Sequence, residues 1–128
     1  MKIWFLLVDD GFNHHKRRPA RIEVKKPKTA DVEDIKEKVK KKMGTLLDGV
    51  ELCDLCVWRT EGETALSSIE DWENILTNIN DNDKNTIKVL QEGVKVSELR
   101  LSDYEILLVQ VISMLHFYCF QNLYLTTS

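Results

Sequence analysis

Three clusters in this 128-residue chain hold side chains able to do chemistry. Cys53-Asp-Leu-Cys56 has the spacing at which two thiols chelate a metal or cycle between thiol and disulfide. A zinc site takes four ligands, and only Cys119 and the His14–His15 pair, all distant in sequence, could complete one. A redox pair normally opens a helix, whose dipole lowers the thiol pKa. This pair lies in a strand-like run, where residues three apart point to opposite faces. Both cysteines are therefore expected to be buried as small hydrophobes, with no metal bound.

Asp81-x-Asp83-x-Asn85, with Glu92 in the twelfth place, copies the oxygen-ligand spacing of a calcium loop. Thr86 occupies the position where glycine makes that loop's sharp turn, so an Asx-rich turn is the better reading. The third cluster is basic: Lys16, Arg17 and Arg18, then Arg21, then Lys25, Lys26 and Lys28. Such runs serve as nuclear-import, acidic-partner or nucleic-acid patches, or simply as solvated loops. Only Phe12 lies near it as a base-stacking aromatic, which disfavours nucleic acid. The chain has no Gly-rich phosphate loop, HExxH or GxSxG, so a non-enzymatic protein without cofactor is expected.

The elements that would position these residues are legible from periodicity. Ile3–Val8 is a continuous apolar run closed by Asp9-Asp10-Gly11, and Arg21–Lys25 alternates polar with apolar; both are expected strands. Val32, Ile35, Val39 and Met43 share one helical face. Asp31 and Asp34 form a capping box before them, Lys40–Lys42 oppose the dipole in the last turn, and Gly44 stands just past the end. Val50–Trp58 is an expected strand with a bulge or twisted edge near Asp54, because its alternation breaks there. Leu66–Ile79 has helical spacing and Asn78–Asn85 is turn-like. A brief helix is expected near Leu99–Tyr104, and Ile106–Ile112 is the last strand. The expected core is Ile3, Phe5, Leu7, Ile22, Val24, Val32, Ile35, Val39, Leu52 and Leu55.

This order predicts an α+β fold of the β-grasp (ubiquitin-like) kind: a mixed sheet, one main amphipathic helix and additional short helical segments. One domain is what the length allows, and 43% hydrophobic with 30% charged residues is a globular composition. The net charge of −3 hides an asymmetry. Residues 1–44 hold 13 Lys+Arg against 7 Asp+Glu, whereas residues 45–128 hold 5 against 14. Three cysteines are no disulfide framework, and Ile3–Val8 is too short an apolar run for a secretory signal.

With the helix aligned, the chain resembles the N-terminal ubiquitin-like domain of Crinkler effectors over residues 1–112. Asp31-Val32-Glu33-Asp34-Ile35-Lys36 is similar to the family's helix pattern. Asp48–Arg59 occupies the place of its LFLAK-type motif, with Leu52, Leu55, Val57, Trp58 and Arg59 as the loosely matching residues. LFLAK itself is absent. Gly93–Leu99, Leu101–Tyr104 and Ile106–Val109 resemble the segments that close the family's domain. The resemblance implies an effector header module that acts in host-cell delivery through protein contacts, secreted into a host cell and accumulating in its nucleus. An intracellular ubiquitin-like adaptor and a weak nucleic-acid binder are the alternatives. Conjugation is not expected, since Leu125–Ser128 contains no Gly-Gly.

Residues 113–128 form an expected apolar tail. Ile106–Leu125 lacks Asp, Glu, Lys and Arg over 20 residues, the length of a membrane span. Gln110, Ser113, His116, Gln121 and Asn122 interrupt it, so packing on the domain or on a second copy is preferred to a membrane anchor.

Overall fold

The computed structural model describes residues 1–60, 73, 87–102 and 105–112. Five strands, β1 (Lys2–Val8), β2 (Ala20–Glu23), β3 (Leu55–Thr60), β4 (Ile87–Val89) and β5 (Ile106–Val111), form one mixed sheet in the order β2-β1-β5-β3-β4. The central pair β1–β5 is parallel and the other pairings are antiparallel. Helix α1 (Val32–Met43) packs on one face, and a single-turn helix, α2 (Val96–Leu99), precedes β5. The protein is α+β, with the β-grasp-like layout of a mixed sheet and one main helix. Leu66–Ile79, the Asx-rich stretch through Asn85, Tyr104, Cys119 and the tail lie wholly or almost wholly outside the described residues.

Alternation along β1 separates two apolar clusters. Ile3, Phe5 and Leu7 join Ile22, Val32, Ile35, Val39, Leu55, Val57, Leu107 and Val109 beneath α1. Leu6 and Val8 turn to the other face with Phe12, Ile87, Ile106 and Leu108, flanked by Trp4 and Trp58. Every residue of β5 is buried, as a central strand with two apolar faces requires.

Helix α1 forms as its sequence dictates. The Asp31 carboxylate accepts from the Asp34 backbone N–H at 3.1 Å, and Asp34 accepts from the Asp31 N–H at 2.9 Å. Gly44 at φ 60° and ψ −126° ends the helix in a conformation that residues with a Cβ avoid. Replacing Asp31 by Ala should lower stability by about 1 kcal/mol, the usual worth of such a cap. Urea denaturation of Asp31→Ala against the parent protein measures it; an unchanged midpoint would contradict the cap.

Two sequence expectations need correction. The strand expected at Val50–Trp58 begins only at Leu55, because Leu52–Asp54 is a 3₁₀ turn. The Asp54 carboxylate accepts from the Glu51 N–H at 3.2 Å and closes that turn. At about three residues per turn the side chains rotate out of period two, which produces the broken alternation without a bulge. Leu52 is consequently only half-buried and does not belong to the core; the other nine expected core residues do. The brief helix also lies earlier than expected, at Val96–Leu99, where Arg100 ends it with a left-handed φ of 51°.

Candidate functional site

Leu52, Leu55, Val57, Trp58 and Arg59, the residues expected from the resemblance to form an LFLAK-like segment, are dispersed. Leu55 and Val57 point into the core beneath α1, while Leu52 sits in the 3₁₀ turn. Trp58 faces the opposite side, edge-on to Phe12 at 5.8 Å between ring centroids, and its indole N–H donates to Gln110 at 2.9 Å. Arg59 donates through Nη1 to the Leu99 carbonyl at 2.6 Å and pairs with the buried Glu105 carboxylate, its Nε lying 2.5 Å from Oε2. These side chains hold strands and loops together and do not converge on a common surface.

The basic residues divide into two groups. Lys16, Arg17 and Arg18 belong to the β1–β2 loop, which is built around Asp9. That buried carboxylate accepts from the Gly11 and Asn13 N–H groups at 2.8 and 3.0 Å and pairs with His15 Nε2 at 2.6 Å. Gln110 Nε2 ties the loop to β5 by donating to the Asp10 carbonyl at 2.8 Å. Lys25, Lys26 and Lys28 lie past the other end of β2, roughly 20 Å along an extended chain from Arg18. The sequence run is therefore not one patch.

A different basic surface replaces it. An open groove of ≈ 550 Å³ runs between the β2–α1 connection and α1, with Lys25, Lys26, Lys38 and Lys41 along it. A neighbouring hollow shares Lys38 and Lys41 with it and is lined further by Arg21, Ile22, Glu23 and Lys42, and a third, at β1 and β2, adds Lys2 and Trp4. Arg21 stacks on Trp4, its guanidinium carbon 5.2 Å from the ring centroid, a cation–π contact that holds the charge beside the strand. The connection is fixed as well: Val32 and Val96 donate to the Val94 and Ala30 carbonyls at 3.2 and 2.9 Å.

Reading the basic run by sequence proximity missed Lys2, Lys38, Lys41 and Lys42. For the last three the signal was available in helical spacing, since positions 38, 41 and 42 share one flank of α1, opposite in sign to the acidic first turn.

The cysteines depart from expectation. Cys53 is exposed in the 3₁₀ turn, because that turn directs it out of the sheet, and Cys56 is half-buried on β3. Burial pushes the Cys56 thiol above its ordinary pKa, and the Lys36 ammonium pulls partly the other way. Whatever stability this shift contributes is present below the ordinary thiol pKa and is lost as pH rises through that range. Iodoacetamide at pH 8 should label Cys53 about tenfold faster than Cys56, followed by peptide mass mapping. Equal rates would contradict the placement. Among the described residues no group of three or more His, Cys, Asp and Glu is arranged to hold a metal ion, and no helix is long and apolar enough to cross a membrane. Of the acidic calcium-loop spacing, only Glu92 is described; its carboxylate pairs with the buried Lys36 at 2.7 Å.

No family model matches this chain, and no curated protein matches it.

Proposed function

We propose that this protein is a non-enzymatic binding module, an effector header of the Crinkler N-terminal kind that acts inside a host cell through protein contacts. The observation that carries the binding role is the basic groove beside β2, a concave, charged surface framed by α1 and a strand. Charge arranged in this way selects acidic partners and speeds their encounter. The effector role draws its support from the Asp31–Lys36 helix pattern and the order of segments through Val109.

Localisation of a tagged protein in its producing organism and in a host cell tests the effector role. Accumulation in host cells and their nuclei is expected, and retention in the producing cell would favour the intracellular adaptor. The lysines of α1 also keep nucleic acid as a second reading. Its mark is an affinity for oligonucleotides that falls steeply and linearly with the logarithm of salt concentration.

A further inference from the structure

The outer backbone of β2 is the most specific feature of the groove. Met1 and Val24 exchange both backbone hydrogen bonds, at 2.7 and 2.8 Å, so they form a hydrogen-bonded antiparallel pair. Such pairs alternate with non-hydrogen-bonded ones. In the observed register, Ile3↔Ile22 and Phe5↔Ala20 are then bonded, whereas Lys2↔Glu23 and Trp4↔Arg21 are not. Arg21 and Glu23 therefore turn their N–H and C=O groups away from β1. Nothing among the described residues pairs with those four groups, and β2 is the terminal strand of the sheet.

An open edge commonly invites pairing with another chain, and proteins blunt such edges with charge, proline or a cover. Here the edge has no proline within Ala20–Glu23, and the neighbouring charge is predominantly of one sign. Lys38, Lys41 and Lys42 on α1, with Arg21, Lys25 and Lys26 along the strand side, outnumber Glu23, Asp34 and Glu37. The Asp34 carboxylate is already committed to the helix cap.

We infer that the groove takes an extended acidic peptide of a partner protein, which adds to the sheet as a strand against Arg21 and Glu23. This rests on the binding role proposed above and names its partner class. The peptide backbone exchanges hydrogen bonds with the outward groups of those two residues, at the ~4.8 Å spacing of neighbouring strands. Alternate side chains face α1, where carboxylates meet Lys38, Lys41 and Lys42. Backbone pairing supplies affinity without sequence demands, and the lysines select acidic side chains over basic ones.

The test separates edge pairing from simple charge attraction. The full chain is titrated by fluorescence anisotropy with a labelled peptide of about eight residues that alternates Glu and Val. A second peptide of equal charge carries prolines that prevent strand pairing. Glu23→Ala removes a negative charge and keeps the N–H, so binding should tighten slightly. Glu23→Pro removes the same charge together with the outward N–H, which an edge strand tolerates. It should bind about tenfold more weakly than Glu23→Ala, with circular dichroism and the thermal midpoint confirming the fold. The exposed pair Lys41→Glu/Lys42→Glu should lose about tenfold without touching β2.

Equal affinity of the two peptides, or equal binding by Glu23→Pro and Glu23→Ala, overturns edge pairing. Such a result leaves the protein-contact role standing if host-cell localisation holds. A short single-stranded oligonucleotide or an anionic phosphatidylserine vesicle that binds more tightly than the alternating peptide, and does so equally to Glu23→Pro, overturns both.

Discussion

Ile35→Ala should destabilise the protein by about 2–5 kcal/mol, the range for truncating a fully buried aliphatic side chain. Ile35 has no exposed surface and lies on the α1 face that meets the sheet. It shares its buried cluster with Val32 and Val39 from the helix and with inward residues of β1, β2, β3 and β5, so removal of three carbons leaves a cavity inside that cluster. Neighbours drawn from several elements cannot all close that space, which places the expected loss above that of a peripheral site. Ile35→Val, which removes one carbon, should cost about 0.5–1.5 kcal/mol. Urea denaturation with both variants checks the pair. An Ile35→Ala midpoint equal to that of the parent protein would show that α1 is not docked through this face.

Such a loss also bears on the groove. Lys38, Lys41 and Lys42 reach β2 only because Ile35 and Val39 anchor the opposite side of the same helix. A partly undocked α1 should therefore weaken peptide binding through position alone. The Lys41→Glu/Lys42→Glu pair is the cleaner probe of the groove, since both residues are exposed and leave the core intact.

The helix was legible residue by residue because its information is local. Its cap, apolar spacing, dipole-matched charges and terminal glycine all occur within Asp31–Gly44 and agree with one another. β1, β2 and β5 were legible for the same reason, as short apolar or alternating runs between turn residues. The 3₁₀ turn was missed because Leu52, Cys53 and Leu55 read as strand by type; what decides the conformation is the hydrogen bond from Glu51 to Asp54. Cys53 was misplaced with it, since its exposure follows from that turn.

The candidate site was less legible, for a topological reason. Its charges come from the first residues of β1, from β2, from the β2–α1 connection and from the end of α1. Proximity in sequence grouped Lys16–Arg18 with Lys25–Lys28, and strand β2 then separated them. The outward backbone of Arg21 and Glu23 depends on the pairing register, which no side-chain pattern in the four residues Ala20–Glu23 specifies.

Arg59→Met should cost about 3 kcal/mol, at the lower end of what is lost when one partner of a buried ion pair is removed. Arg59 fixes three places at once. It extends from β3, neutralises Glu105 immediately before β5, and satisfies the Leu99 carbonyl at the end of α2. Glu105 is only 9% exposed, so without the guanidinium its carboxylate would remain desolvated beside an unsatisfied carbonyl. Arg59 itself is a quarter exposed, which lets water enter and limits the loss. Met is close in reach and keeps the packing of the side-chain stem, so the change reports charge and hydrogen bonding more than volume. Glu105→Gln removes the stranded charge, and in the Arg59→Met background it should restore part of the stability. The double variant should then be less destabilised than the sum of the two single changes, a coupling that a thermodynamic cycle measures directly. Additive losses would mean that the pair is not coupled in solution and that Arg59 acts through Leu99 alone. Arg59 meets α2 at its last residue, Leu99, whereas the groove wall is held by the Val96 N–H at the other end, so peptide binding should survive Arg59→Met wherever α2 stays docked. That outcome would place Leu55–Arg59 in the framework of the sheet, apart from the surface that meets a partner.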